Sequence, residues 1–447
     1  MKRLFWQDKK RIFFIGIGGI SMSALARCML GLGFSVSGSD LCASAMTASL
    51  ERAGAKIFIG HRAENVVGAD AVIYTSAVGK GNPELAAAGR LGIQTVSRAQ
   101  LLSLVSGCFG TTVGVAGCHG KTTATAMCAH VLQACSGACT AHIGGEDLDY
   151  GNFFAGGDRY FVTEACEYEK NFLLLKPDVG VVLNTDADHL ECYGSAEALA
   201  DAYERYARGA RSAIICADDP IAARVPAART FGFSGGSDVT AVHLRENGGK
   251  YGFYLQISGK IFDKIVLNVY GKHNVLNALA AAAVADVLGF PPAFTAEGLR
   301  GFRGIKRRFE RVGTYCGAEL IADYAHHPRE IEAALRTAGE ACRGRLVAVF
   351  QPHTYSRTRL LFDDFLAVLS PLQDLVIYKT FPARESFDAG GSARALADRL
   401  PNSLYIETVH ELEVYLECTV RPGDTVLFLG AGDIYTIACR LARPPIR

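Results

Sequence analysis

Gly114-Val-Ala-Gly-Cys-His-Gly-Lys-Thr-Thr-Ala-Thr-Ala126 (GVAGCHGKTTATA) closes an apolar run, TTVGVAG, and opens an Ala-rich stretch of helical character. A glycine turn between a strand and a helix places backbone N–H groups and the positive end of the helix dipole together, and that combination holds phosphate oxygens. Gly117, Cys118, His119, Gly120, Lys121, Thr122 and Thr123 would form the cradle. Lys121 would reach the terminal phosphates and the Thr122 hydroxyl would bind Mg2+. Val115 stands where the usual G-x-x-x-x-G-K-[ST] pattern has its first glycine. A glycine turn with an incidental Lys-Thr is the alternative. Strand before, helix after and the Gly-Lys-Thr-Thr core favour a nucleotide site, and with it a central P-loop domain of α/β class.

The rest of the chain is read outward from this loop. At 447 residues it exceeds what one core organises, so two to four domains are expected. The net charge of +1 gives no long-range attraction to nucleic acid or to an anionic membrane, and neither is expected as a partner. No apolar run reaches the length of a membrane span. The opening MKRLFWQDKKRIFF lacks a signal peptide's apolar stretch. The fourteen cysteines are scattered with no CxxC pair, which fits a cytoplasmic protein with reduced thiols. Cys128, Cys135 and Cys139 with His130 have a metal-like composition, but they read better as small apolar residues of one helix and its surroundings.

Short apolar runs alternate with helical stretches throughout. RIFFIGI, FSVSGSD, KIFIG and AVIYTSAV form a first unit, TTVGVAG, RYFVTEA, VGVVLNT and SAIICADD a second, and AELIADY, RLVAVFQ, DLVIYKT and TVLFLGAG a third. This rhythm predicts three α/β domains with mainly parallel sheets: a Rossmann-like domain over 1–105, the central domain over 106–302 and a Rossmann-like domain over 303–447. Residues 240–269, with NGG and SGK turns between alternating segments, are expected to form an antiparallel hairpin insert on the central domain.

Gly16-Ile-Gly-Gly-Ile-Ser21 is a second glycine loop after an apolar strand, with Asp40 closing the next strand where a ribose-binding acid belongs. Ser21 occupies the place of the fingerprint's last Gly or Ala. By itself this loop is compatible with NAD, with the pyrophosphate of another nucleotide, or with no ligand. Glu164 ends one apolar strand of the central domain, and Asp186, Asp188 and His189 follow another. In a parallel sheet such strand ends share a rim with the phosphate loop, so Glu164 and His189 are expected to converge on Mg2+. His273, Asn274 and Asn277 start a helix, where Asn is commonly a cap and Asn277 could instead read an adenine edge. In the last domain, Arg308, Asp323, Tyr324, His326, His327, His353 and Arg357 fall around strand ends. They suggest a site for a small carboxylate with Arg357 as its anion partner.

These motifs in this order, with GIGGISMSALA, SGSD, TSAV followed by NPE, EACEYEKNF, NTDADH, GKHNVLNALAA, RRFE, DYAHHP and FQPHTYSRT, resemble the Mur ligase family over nearly the whole chain. The resemblance implies three domains and an ATP- and Mg2+-dependent amide-bond ligase of peptidoglycan precursor synthesis. GIGGI, DYAHHP and FQPHTYSRT imply that UDP-N-acetylmuramate and L-alanine are the substrates. It assigns Gly16, Gly18, Gly19, Ile20, Ser21, Asp40 and Ser76 to the UDP-sugar. It assigns the Gly117–Thr123 loop with His273, Asn274, Asn277, Arg308 and Asp323 to ATP. Thr122, Glu164 and His189 fall to the metal, and Tyr324, His326 and Arg357 to the amino acid. Lys121, Glu164, His189, His326 and Arg357 are then the catalytic candidates. Cys118 stands where Thr is more usual, at a position dominated by backbone. Thr354 stands where some members have an Arg, and Ser21 where Gly is common. The alternatives are a sister ligase that adds a recycled tripeptide to UDP-N-acetylmuramate and an NAD-dependent nucleotide-sugar dehydrogenase.

Overall fold

The computed structural model describes Trp6 and residues 10–79, 81–186 and 190–442. The first sheet contains β1 (Arg11–Ile15), β2 (Ser35–Asp40), β3 (Lys56–Ile59), β4 (Ala71–Tyr74) and β5 (Gln94–Ser97) in the order β3-β2-β1-β4-β5. All its pairings are parallel. β1 is buried on both faces. Ile12 and Phe14 pack with Met22, Leu25 and Met29 of the helix Ile20–Gly31, while Phe13 and Ile15 pack with Val66, Val72 and Ala87. A near-continuous apolar strand is what a doubly covered parallel sheet requires. Chain order reverses at β1, and that leaves a crevice at the strand carboxyl ends where Gly16 begins its turn.

The second sheet has ten strands: β6 (Thr111–Ala116), β7 (Cys139–Asp147), β8 (Gly151–Ala155), β9 (Tyr160–Glu164), β10 (Val179–Val182), β11 (Ser212–Cys216), β12 (Arg229–Phe231), β13 (Val239–Asn247), β14 (Lys250–Ile257) and β15 (Lys260–Tyr270). Their order is β15-β14-β13-β12-β11-β10-β6-β9-β7-β8. β6 lies between β10 and β9, parallel to both, so the phosphate loop leaves the middle of the sheet. The expected hairpin insert has three strands. NGG and SGK are both turns, and the segment joins the sheet through a parallel pairing of β12 with β13. Two turn signals within one alternating run make two hairpins, not one.

The third sheet contains β16 (Glu310–Tyr315), β17 (Ala318–Asp323), β18 (Leu346–Phe350), β19 (Leu375–Tyr378), β20 (Ser403–Ile406) and β21 (Thr425–Leu429) in the order β16-β17-β21-β18-β19-β20. Only its edge strand β16 is antiparallel among these pairings. Apolar cores cover both faces. By internal contacts the chain forms two compact units. One consists of Met1–His243, Phe253–Ile265 and Asn274–Arg303, and the other of Leu244–Gly252, Val266–His273 and Gly304–Arg447. All fourteen cysteines are free thiols. Among the described residues, no helix is long and apolar enough to cross a membrane.

Candidate active site

The phosphate loop follows β6 and is held from both flanking strands. Asn184, after β10, accepts the His119 N–H through Oδ1 and donates Nδ2 to the His119 carbonyl, both at 2.9 Å. Gly120 precedes the helix Lys121–Ser136 with φ +83°, a conformation that costs a side-chain-bearing residue energy, and an added Cβ would lie 2.7 Å from Asn277 Oδ1. Asn277 in turn donates to Asn274 Oδ1 at 2.9 Å. The structure thus brings Asn274 and Asn277 against the loop, one turn into the helix His273–Val287 that His273 begins. Thr122 and Thr123 are buried at the helix start. Cys118 is not a purely backbone position. Its thiol faces the Asp186 carbonyl and lies 3.5 Å from the Tyr203 hydroxyl.

Lys121 folds back over its own loop. Its Nζ donates to the carbonyls of Gly117 and Cys118 and lies 2.9 Å from Glu167 Oε1. Burial pulls the lysine pKa down, but Glu167, with Cys166 and Cys118 adding to it, makes the net shift upward, so the ammonium stays charged. Glu167 is 1% exposed, and its backbone carbonyl accepts the Tyr193 hydroxyl. Glu164, at the end of β9, accepts the Gly144 N–H at 2.8 Å through Oε1. An all-oxygen set of the Thr122 hydroxyl and the Glu164 carboxylate suits a hard cation such as Mg2+. His189 and Asp188 lie outside the described residues. The cysteines near His130 do not make a metal group. Among the described residues the group with such spacing is His130, Asp147 and Asp149, within 4.8 Å of one another. Its atoms have other partners: His130 Nε2 pairs with Asp147, Asp147 Oδ1 accepts the amides of Asp149 and Tyr150, and Asp149 binds Arg303.

The first glycine loop is built from the same kinds of contact. Ser39 O accepts the N–H groups of Gly16 and Ile17, and Asp40 Oδ2 accepts the Gly18 N–H at 2.8 Å. Its Oδ1 accepts the Leu41 N–H. Asp40 therefore clamps the turn in this structure. Gly19 precedes the helix, and the Ile20 carbonyl accepts Asn152 Nδ2 at 2.7 Å. Ser76 is exposed on the loop after β4. Glu84, fully buried, gathers Ser39 Oγ, His61 Nδ1 and Asn65 Nδ2 within 2.8 Å behind that loop. Ser21 bonds His142 Nε2 at 2.8 Å and receives Arg98 Nη1 at 3.1 Å. Burial, with a contribution from Arg98, lowers the His142 pKa to about 4, so this imidazole is neutral.

On the second unit, β17, β21 and β18 are adjacent and their carboxyl ends carry Tyr324–His327, Gly430–Asp433 and Gln351–Arg357. Asp323 accepts the Phe309 and Ala325 N–H groups, holding the turn that carries Arg307 and Arg308. Burial raises its pKa. Arg307 donates to the Gly432 carbonyl and lies between the rings of Tyr324 and Tyr435, 4.8 and 5.1 Å from their centroids. Arg308 lies over Tyr324 and 4.0 Å from Glu330. His326 Nδ1 lies 3.0 Å from the Tyr324 carbonyl; that oxygen only accepts, so the proton sits on Nδ1 and Nε2 keeps its lone pair. Burial lowers the His326 pKa, with Glu330 opposing. Arg357 Nη1 lies 3.2 Å from His353 Nδ1, and burial takes the His353 pKa to about 4, so its Nδ1 accepts. Tyr324, His326 and Arg357 are thus gathered together, with His326 and His353 5.7 Å apart between them. Thr354, in place of an Arg, has φ +66° and ψ 143° at the start of the helix Tyr355–Leu360. His327 caps the helix Pro328–Ala341.

Sequence reasoning did not single out Asn184, Glu167, Glu84, Arg307 or His142. All of these but His142 lie inside quoted motifs, so their neighbourhood was visible. Nothing in a linear pattern marks Glu167 as the partner of a lysine 46 residues earlier.

A Gly-Lys-Thr loop leaving the middle of a mainly parallel sheet, a second glycine loop leaving another parallel sheet, and a third α/β sheet make up a three-domain α/β architecture with glycine turns between strand and helix. The chain matches "Mur ligase family, catalytic domain" over 11–107, "Mur ligase middle domain" over 115–285 and "Mur ligase, glutamate ligase domain" over 307–432. It is 38% identical over 97% of its length, and 98% of the relative's, to the UDP-N-acetylmuramate–L-alanine ligase of Clostridium beijerinckii. It is 39% identical to the protein of that name from Acetivibrio thermocellus, over 96% of this chain and 94% of the other. Among solved structures it is similar to the UDP-N-acetylmuramate–alanine ligase of Thermotoga maritima, with a TM-score of 0.84 and 32% identity over 96% and 98% of the two chains. The chain belongs to the Mur ligase family. The dehydrogenase alternative has no support in these likenesses.

Proposed function

We propose that this protein joins L-alanine to the lactyl carboxylate of UDP-N-acetylmuramate, using ATP and giving ADP and phosphate, in the supply of peptidoglycan precursors. The observation that carries the reading is the likeness to ligases of that name over nearly the whole of both chains. The two glycine loops then have separate tasks. Gly16–Ser21 holds the UDP moiety within residues 1–105, and Gly117–Thr123 holds the ATP phosphates within 106–302. The cluster of 303–447 takes the amino acid.

In this reaction the lactyl carboxylate attacks the γ-phosphorus of ATP and ADP leaves. The L-alanine amine attacks the acyl phosphate carbonyl, phosphate leaves and an amide forms. The first step brings a carboxylate toward a triphosphate. Lys121 opposes that repulsion, exchanging loop carbonyls for phosphate oxygens while Glu167 keeps it charged. Thr122 and Glu164 would hold Mg2+, which would supply further positive charge. Arg357 holds the alanine carboxylate, and its paired donors fix direction as well as distance. The His326 Nε2 lone pair is available to orient or deprotonate the ammonium.

The test is phosphate release from ATP with UDP-N-acetylmuramate, comparing L-alanine, glycine, L-serine and the tripeptide, and with NAD in place of ATP. Release that depends on ATP and L-alanine is expected. Preference for the tripeptide would move the protein to the sister ligase, and reduction of NAD without phosphate release would overturn ligation altogether.

A further inference from the structure

β7 carries His142 and Gly144 two residues apart, where its register with β8 becomes irregular between His142 and Asp147. At one end of this pair, His142 Nε2 lies 2.8 Å from the Ser21 hydroxyl, in the first turn of the helix after the Gly16–Ser21 loop. At the other, the Gly144 N–H holds Glu164 Oε1, and an added Cβ at Gly144 would lie 2.6 Å from the Glu164 carboxyl carbon. His142 Nδ1 is also 2.9 Å from Thr163 Oγ1, the residue before Glu164. Arg98 Nη1 donates to the same Ser21 hydroxyl at 3.1 Å, and His142 Nε2 also lies 3.4 Å from the Ser21 carbonyl. β8 adds Asn152, whose Nδ2 bonds the Ile20 carbonyl and the Ser23 hydroxyl at 2.7 and 2.8 Å. Ser23, His142, Asn152 and Thr163 are all less than 5% exposed.

We propose that His142 is a positioning residue that ties the sugar-nucleotide loop to the Glu164 carboxylate through β7, so that a ligand at one site changes affinity at the other. The identities of the two ligands rest on the ligase reading above. A buried, satisfied set of hydrogen bonds has few alternative arrangements. A shift of the helix start on binding at Gly16–Ser21 must therefore break a bond or move β7, and β7 carries the amide that fixes Glu164. The proposal also gives Ser21 a reason. The Gly or Ala that a dinucleotide fingerprint places there has no hydroxyl to offer His142.

The test is calorimetric titration of Mg2+–ADP into the full-length protein, with and without saturating UDP-N-acetylmuramate, for the parent, His142→Ala, His142→Gln and Ser21→Ala. The parent's ADP affinity should change by about fivefold or more on sugar-nucleotide binding, the lower end of common couplings. His142→Ala and Ser21→Ala should bring that ratio close to one. His142→Gln, whose amide reaches toward Ser21, should recover part of it. Should His142→Ala fail to fold, Ser21→Ala removes the bond with little loss of volume and answers the same question. A parent ratio of one, or a ratio equal to the parent's in Ser21→Ala, overturns the proposal. Product formation by the parent separates that outcome from failure of the ligase reading, which would instead show as no alanine adduct at all.

Discussion

Lys121 and Glu167 form an ion pair at the start of the helix after the phosphate loop. The carboxylate is 1% exposed, so removing the lysine leaves a buried charge without its partner. Breaking such pairs costs about 3 kcal/mol or more, whereas replacing both members is far milder. Lys121→Ala is expected to lower the denaturation midpoint and to reduce turnover by ~10²-fold or more. Lys121→Met with Glu167→Gln should recover most of the stability and none of the turnover. Recovery of turnover in the double variant would remove Lys121 from the phosphate contacts.

His142 makes a second residue-scale expectation. Its pKa in the fold is about 4, below the ordinary 6.5, chiefly through burial and then Arg98. The unfolded chain therefore binds the proton first as pH falls. The contribution to stability is complete above about pH 6.5 and declines toward pH 4, by at most about 3 kcal/mol. Urea unfolding at pH 7 and pH 5 should show a smaller loss in His142→Gln than in the parent. Equal losses would mean that other groups govern this range.

At the scale of elements, the helix Tyr355–Leu360 is instructive. FQPHTYSRT announces a strand end followed by polar residues, but not that Thr354 enters the helix at φ +66°, an unfavourable place for a β-branched residue. The strain is held by the Thr354 N–H bond to the Phe381 carbonyl and by Thr358 Oγ1 on the Thr354 carbonyl. Thr354→Gly should raise stability by up to about 1 kcal/mol while loosening the helix that aims Arg357. Its KM for L-alanine should rise. Arg357→Lys retains charge but loses the paired donors, so KM for L-alanine should rise strongly with KM for ATP little changed. A rise in KM for ATP or the UDP-sugar instead would place Arg357 in another pocket.

At the scale of the molecule, the two glycine loops leave different sheets, after β1 and after β6. Lys121→Ala should accordingly abolish ligation while UDP-N-acetylmuramate still protects the protein against heat. Loss of that protection would indicate that the sugar nucleotide does not bind at Gly16–Ser21 independently of the phosphate loop.

Sheet class, the three-part rhythm and both glycine turns between strand and helix were legible because they depend on local periodicity and on short spacings, which a linear chain displays directly. The insert reads in the sequence as one hairpin, whereas it has three strands because NGG and SGK both close a turn. What only the tertiary structure decided are the partners across long separations: Glu167 on Lys121, Asn184 astride His119, Glu84 behind the first loop, Arg307 between two tyrosines and His142 on Ser21. Each arises because a parallel sheet sets distant strand ends on a common rim, and burial there favours polar groups that pair with one another. Composition and periodicity carry no record of which one it finds.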